Sequence, residues 1–157
     1  MFTACKTPKP LDVVPDFDVT KYTGTWHEIA RLPNSFEKNL NRITATYSLM
    51  DNGKIKVENK GYLINNPSKQ KSIVGKAYIP DSKVPAKIKV TFFWPFYGNY
   101  WVLAIDKDYQ NALVGDPSRK YLWLLSRNDT MDNATYKTLE NIALKKGFDV
   151  SKLIGGQ

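Results

Sequence analysis

The side chains that most often carry out chemistry in proteins are scarce in this chain. Its 157 residues contain one histidine, His27, and one cysteine, Cys5, at unrelated positions. A structural zinc site and a Cys/His catalytic pair each need more of these groups together. A Ser-His-Asp triad would have to use His27, and the sequence contains no Gly-x-Gly-x-x-Gly or Walker-type motif. The sequence therefore predicts no metal site, no catalytic residues, no cofactor and no enzyme activity.

Glu28 is the acidic residue that most needs an explanation, because it follows Trp26 by two positions in a predicted strand at 22–32. Side chains alternate along a strand, so one face is shared by Trp26, Glu28, Ala30 and Leu32, and the other by Thr25, His27, Ile29 and Arg31. With Trp26 inward, Glu28 is buried and needs a base or hydrogen-bond donors. A structural Glu28, tied to an Arg or Tyr, is favoured over a catalytic one.

The segment Gly24-Thr25-Trp26 opens this strand, and a second motif, Arg127, ends another strand about a hundred residues later. A glycine two residues before an inward tryptophan lets the backbone bend where a barrel would close. The Arg127 guanidinium can lie on the indole of Trp26 as a cation–π pair. Gly24, Trp26 and Arg127 are therefore predicted to be structural.

The rest of the chain reads as short alternating strands followed by one helix. The predicted strands are 22–32, 42–50, 54–64, 70–79, 86–94, 99–106, 110–115 and 120–127. Eight strands at a spacing of about 8–12 residues indicate an all-β sandwich or up-and-down barrel. The period then changes to 3.6 at 131–146, with Asp129 or Thr130 as the cap. This helix has one apolar face, so it packs outside the sheet, against Leu122 and Leu124.

The inner face of such a barrel mixes small and aromatic side chains. The small ones are Ala30, Ala45, Gly61, Gly75, Ala77, Ala104 and Gly115; the aromatic ones are Tyr47, Phe92, Trp94, Tyr100, Tyr121 and Trp123. This mixture is typical of a pocket for an apolar ligand with a polar end, and the alternative is a tapered interior filled by side chains.

Composition limits the partners. The net charge of +8 suggests an acidic partner, either nucleic acid or anionic lipid headgroups, or else a solvated outer face. Lysines and aromatic residues alternate onto opposite faces of the strands, which argues against nucleic-acid binding. No apolar run is long enough to span a membrane as a helix.

The N-terminal residues suggest lipidation. Small residues before Cys5 look like the end of a bacterial lipoprotein signal peptide, although the apolar region of such a signal is not part of this sequence. The alternative is a free thiol. Residues 1–15 are predicted to be the lipidation-site remnant and a Pro-rich flexible tether, and residues 16–157 the domain.

Several segments together resemble the lipocalin family, particularly the bacterial lipocalins and apolipoprotein D, over residues 17–154. They are Asp18–Trp26, Ala45–Leu49, Asn52–Ile55, Asn59–Tyr62, Phe96–Gly98, Ala112–Pro117 and Tyr121–Arg127. The chain departs from many relatives in having His27, not Tyr, after the motif tryptophan. The resemblance implies an eight-stranded antiparallel up-and-down barrel, open at one end, with one C-terminal α-helix outside.

The resemblance also implies a function, the storage or transport of fatty acids or lysophospholipids in support of membrane lipid maintenance. The predicted ligand contacts are Tyr47, Val57, Asn59, Ile73, Ala77, Val90, Phe92, Trp94, Tyr100, Val102, Tyr121 and Trp123. The polar head would lie near the open-end loops. Acylated Cys5 would hold the protein at the bacterial outer membrane, facing the periplasm.

Three alternatives stay open at this point. The ligand could be a tetrapyrrole or another apolar molecule, and the barrel could be a lipocalin-type enzyme, although no nucleophile or acid–base pair is evident. The oligomeric state is also open, a homodimer included.

Overall fold

Eight strands close into an antiparallel barrel in the computed structural model, which describes residues 9–93 and 96–155. The barrel strands are β1 (Gly24–Arg31), β2 (Leu40–Leu49), β3 (Ile55–Leu63), β4 (Asn66–Tyr78), β5 (Lys87–Phe93), β6 (Phe96–Ile105), β7 (Asn111–Gly115) and β8 (Leu122–Ser126). Each strand pairs with the next, and β1 pairs with both β2 and β8. The predicted up-and-down barrel is confirmed.

Short helices flank the barrel. The helix α1 (Val19–Tyr22) precedes β1, and its N-cap is Asp18, whose carboxylate accepts from Thr20 N at 2.9 Å. The helix α2 (Asn133–Lys145) follows β8 and is capped by Asp132, not by the predicted Asp129 or Thr130. A 3₁₀ turn (Val150–Lys152) and the strand β9 (Ile154–Gly155) end the described chain, and β9 pairs with β1.

The two ends of the barrel differ. The end formed by the loops at 50–54, 79–86, 106–110 and 127–132 is called the closed end, because α1, Trp26 and Phe17 are packed there. The opposite end, called the open end, is formed by the loops at 32–39, 64–65 and 116–121 and by the β5–β6 loop, in which residues 94 and 95 are not described.

β-Bulges in β1 and β6 change which side chains face inward. The register of β1 shifts between Glu28 and Ala30, and that of β6 shifts between Val102 and Ala104. A bulge adds one residue to a strand and reverses the alternation beyond it. Arg31 therefore lies inside the barrel.

The predicted inward positions of Ala30, Leu32, Ala104 and Gly115 are wrong. All four face outward, where the first three join the cluster beneath α2 and an added Cβ on Gly115 would meet Phe148 at 2.8 Å. For Gly115 the error does not come from a bulge. Ala112 and Val114 of the same strand belong to the inner core, so simple alternation from Val114 already places Gly115 outside.

The apolar residues form two cores. The inner core fills the closed half of the barrel, and the outer core lies between the barrel wall and α2. Leu122 and Leu124 belong to the outer core with Leu139, Ala143 and Phe148, as the sequence predicted for the two leucines.

The segment from Lys9 to Pro15 lies against the barrel. Leu11 is buried in the outer core, and Val14 N donates to Val102 O at 3.0 Å. This part of the predicted tether is therefore packed on the domain. Cys5 lies outside the described residues.

Candidate functional site

The closed end is built around Trp26, which is fully buried. Its indole N–H donates to Tyr22 O at 2.9 Å, and the Tyr22 ring stacks on it with centroids 4.9 Å apart. The guanidinium of Arg127 lies 3.9 Å from the indole centroid, which confirms the predicted pair. The same guanidinium donates to backbone carbonyls of the segments around it, at Tyr109, Thr25, Lys21 and Tyr22. Arg127 thus joins α1, β1 and the β6–β7 turn into one plug.

Gly24 is required at this closure for two reasons. Its φ is +100°, a conformation that L side chains rarely adopt. A Cβ at this position would lie 3.1 Å from Arg127 Nη1. Gly24 was predicted to allow a bend, and its missing side chain also leaves the room that the Arg127 guanidinium occupies.

Above the plug, three tyrosine hydroxyls meet inside the barrel. Tyr100 Oη lies 2.5 Å from Tyr22 Oη and accepts from Tyr47 Oη at 2.8 Å. Burial raises the pKa of each of these phenols, so all three are neutral and act as hydrogen-bond donors and acceptors. The three hydroxyls hydrogen-bond to one another and form a polar layer at the top of the packed lower half of the barrel.

The predicted ligand contacts divide at this level. Tyr47, Val57, Ala77 and Val102 are buried in the packed lower half, where they form a floor. Above it, partly exposed side chains line the inner wall toward the open end: Asn59, Ile73, Val90, Phe92, Tyr100, Tyr121 and Trp123. Trp94 lies outside the described residues. Ala45, not in the predicted set, is also inward and partly buried.

Aromatic rings form a continuous path along one side of this inner wall. Tyr100 and Trp123 stack at 6.4 Å, and Trp123 and Tyr121 stack at 6.0 Å with planes 9° apart. Phe36, on the loop between β1 and β2, lies 5.7 Å from Tyr121 and is 57% exposed. The path therefore runs from the tyrosine cluster to the open end.

A buried charged network holds the β1–β2 loop in the mouth of the barrel. Arg31 Nη1 donates to Glu28 Oε1 at 2.8 Å, and Arg31 Nη2 donates to the carbonyls of Glu37 and Leu40 at 3.2 Å. Glu37 Oε1 accepts from Trp123 Nε1 at 2.8 Å and from Asn34 Nδ2 at 2.9 Å. Glu28, Arg31 and Glu37 are all more than nine-tenths buried.

The carboxyl group of Glu28 lies close to that of Glu37 in this network, and both burial and this neighbour act on its pKa. Burial raises the pKa of Glu28 well above its ordinary value of 4.5, and its hydrogen bond and charge repulsion with Glu37 raise it further, against the lowering effect of Arg31. The buried site therefore favours the protonated form of Glu28 more than water does. The role is structural: it ties the loop to the wall.

Sequence reasoning anticipated an Arg or Tyr partner for Glu28 but missed both Arg31 and Glu37. Simple alternation placed Arg31 outside, and only the bulge after Glu28 brings it in. Glu37 lies on an irregular loop, so no periodicity indicated its burial. The sequence signal for this pair was an acid and a base three residues apart, Glu28 and Arg31. In a regular strand, residues three apart lie on opposite faces, so this spacing argued against the contact.

The described residues offer little other chemistry. Within these ranges no group of three or more His, Cys, Asp or Glu side chains could hold a metal ion. None of the helices described is long and apolar enough to cross a membrane. The arrangement is that of a barrel with a packed floor, an inner wall rich in aromatic side chains and a loop held across its mouth.

Comparisons with known proteins agree with this architecture. Residues 17–157 match the family described as Lipocalin-like domain. The chain is 46% identical to the outer membrane lipoprotein Blc of Escherichia coli K12, covering 98% of this chain and 88% of that protein. It is 44% identical to temperature-induced lipocalin-1 of Arabidopsis thaliana, over 92% and 81%, and 39% identical to mouse apolipoprotein D, over 94% and 80%.

Among solved structures, insecticyanin from the tobacco hornworm Manduca sexta superposes with a TM-score of 0.75 at 27% identity, covering 96% of this chain and 86% of that one. Members of this family are generally proteins that bind small hydrophobic ligands. The residues matched, the identity to relatives and the closed eight-stranded barrel lead to one conclusion: this chain belongs to the lipocalin family, in the branch of the bacterial outer membrane lipoprotein Blc.

Proposed function

We propose that the open half of the barrel binds one single-chain lipid, a fatty acid or a lysophospholipid, and stores or transports it in support of membrane lipid maintenance. The observation that carries the proposal is the inner wall above the tyrosine cluster, where apolar side chains stay partly exposed on an inward face. Ile73 is 38% exposed there. Such apolar surface gains free energy when an acyl chain covers it.

The distribution of charge favours an orientation with the acyl chain inside and the polar head at the open end. The floor consists of apolar side chains and neutral tyrosine hydroxyls, where burying an anionic head without a charged partner is costly. Exposed basic residues stand at the open end, among them Lys38, Lys69 and Lys71. A carboxylate or phosphate head would therefore be held near the loops.

The proposal is tested by blocking the cavity at Ala45, which is inward and partly buried, with Ala45→Trp. The matched control is Ser48→Trp, which adds the same indole to the exposed outer face of the same strand. Binding of palmitate and of a lysophosphatidylethanolamine is measured by isothermal titration calorimetry. We expect wild type and Ser48→Trp to bind at about micromolar concentration or tighter.

Ala45→Trp should lose affinity by at least about tenfold while keeping a cooperative thermal transition, at an overpacking cost of about 1–3 kcal/mol. If it is folded and binds as tightly as Ser48→Trp, the ligand is not in the open half of the barrel. A visible absorbance band in the purified protein would instead favour a tetrapyrrole as ligand.

We also propose that Cys5 is acylated and attaches the protein to the outer membrane with the barrel on the periplasmic side. The small residues before Cys5 and the lipoprotein relatives support this assignment. When the chain follows a lipoprotein signal peptide, it should fractionate with membranes, and Cys5→Ser should not, because acyl chains supply the membrane affinity. Equal fractionation of the two forms would refute the assignment.

A further inference from the structure

The exposed charges in the open-end segments are all of one sign. In the segments 32–42, 62–71 and 116–121, the exposed charged residues are Lys38, Arg42, Lys69, Lys71 and Lys120. The two acids in these segments, Glu37 and Asp116, are buried, with 7% and 8% exposure. Glu37 is held inside the mouth, and Asp116 accepts hydrogen bonds from Ser118 and from Tyr121 N. The open end therefore presents only positive charge from these segments.

The closed end has a net charge of the opposite sign. Its four loops expose six aspartates against three lysines: Asp51, Asp81, Asp106, Asp108, Asp129 and Asp132, with Lys54, Lys83 and Lys107. The exposed acid that follows the C-terminus of α2, Asp149, is paired with Lys152 at 3.7 Å. The charge of the protein is thus separated along the barrel axis, with the positive pole around the mouth. Besides its net charge of +8, the protein therefore has a charge dipole along the barrel axis.

The same rim exposes apolar side chains. Phe36 and Ile64 are each 57% exposed. They belong to two different loops around the mouth, at 32–39 and 64–65. Exposed apolar groups among basic residues suit a surface that has anionic headgroups above hydrocarbon.

The path of the N-terminal chain supplies an independent constraint. Lys9 O accepts from Arg119 Nη2 at 2.5 Å, and Arg119 Nε donates to Lys146 O at 3.1 Å, so the described chain begins beside the open end. From Lys9 back to Cys5 is four residues, which span at most about 14 Å. If Cys5 is acylated, as proposed above, the barrel mouth is held within about that distance of the bilayer.

We propose that the open end is a docking surface for an anionic phospholipid bilayer, on which the barrel stands with its mouth toward the membrane. In this orientation a single-chain lipid passes between the leaflet and the cavity with little exposure of its acyl chain to water. In this orientation the anionic surface attracts the basic open end and repels the acidic closed end, which points away from it.

The test is sedimentation of the unacylated 157-residue chain with vesicles. The vesicles contain phosphatidylethanolamine with phosphatidylglycerol, and phosphatidylcholine vesicles serve as the uncharged reference. The rim variant is Lys69→Glu/Lys71→Glu. Two variants with the same change of net charge are the controls, Lys83→Glu/Lys107→Glu at the closed end and Lys56→Glu/Lys76→Glu on the outer wall.

A basic residue close to an anionic leaflet contributes about fivefold to the binding constant, so the rim variant should bind at least about 25-fold more weakly than wild type. The closed-end variant should keep the wild-type affinity. Ile64→Ser, which leaves the charge unchanged, should also weaken binding to anionic vesicles.

Three results would overturn the docking proposal: no binding of wild type to anionic vesicles, equal loss in the rim and closed-end variants, or a larger loss in the wall variant. Palmitate affinity is measured in parallel on every variant. Because Lys69 and Lys71 also stand near the proposed position of the ligand head, Ile64→Ser separates the two proposals. Loss of its vesicle binding with normal palmitate binding concerns docking alone, whereas wild type that docks without binding palmitate refutes the ligand proposal and leaves the docking surface standing.

Discussion

Arg127→Ala should open the closed end and destabilise the barrel more than any ordinary surface substitution. The guanidinium covers Trp26 at 3.9 Å and donates to the carbonyls of Tyr109, Thr25, Lys21 and Tyr22 at 3.0–3.3 Å. Alanine removes all of these contacts at once. The carbonyls that it leaves belong to three separate segments, so no single neighbouring side chain can replace the arginine.

The magnitude follows from these contacts. Arg127 is half-buried, so water can reach part of the released carbonyls, and each hydrogen bond is worth about 0.5 kcal/mol at the low end of the usual range. Four bonds contribute about 2 kcal/mol. The cation–π contact adds about 1 kcal/mol. The expected loss is therefore about 3 kcal/mol, which for a domain of this size lowers Tm by about 6–12 °C.

The assay is thermal and denaturant unfolding followed by circular dichroism, with Arg42→Ala as the matched control. Arg42 also covers an aromatic ring, Tyr62, at 4.0 Å, but it is exposed and donates only to Pro67 O among the described contacts. Its loss should cost about 1 kcal/mol or less. Equal destabilisation by the two substitutions would refute the view that Arg127 joins the plug together.

Two further substitutions test the buried network and the outer core. Because burial and Glu37 raise the pKa of Glu28 above its ordinary 4.5, its contribution to folding is complete below that pH and is lost as pH rises toward the folded-state pKa. The stability of wild type should therefore fall relative to Glu28→Gln as pH rises above 4.5, by up to about 1.4 kcal/mol per pH unit, in urea unfolding curves. A difference independent of pH would show that folding does not raise the pKa of Glu28. Gly115→Ala should destabilise by about 1–3 kcal/mol because its Cβ would lie 2.8 Å from Phe148, whereas Gly98→Ala, whose nearest contact is 3.9 Å away, should be nearly neutral, and the two variants are compared by their melting temperatures.

Much of the fold follows from the sequence because its signals are local. Alternating side chains, the Asn52-Gly53 turn and the change to a helical period at α2 each depend on neighbouring residues, and these predictions agree with the strands and helix observed. The pairing of Trp26 with Arg127 and the outward packing of Leu122 and Leu124 were also accessible, since residue type and position at a strand end are strong constraints.

The tertiary structure alone decided what fills the mouth of the barrel. The alternation of side chains reverses beyond a bulge, so the bulges in β1 and β6 placed Ala30 and Ala104 outside and Arg31 inside. Closing eight strands around a cavity requires such local changes of register, and their positions depend on contacts between distant strands. The burial of Glu37 and the return of Lys9 to the open end likewise depend on partners far away in sequence, Trp123 and Arg119. The sequence determined the barrel. Contacts between strands that are distant in sequence decided which charges lie inside the barrel and which surround its open end.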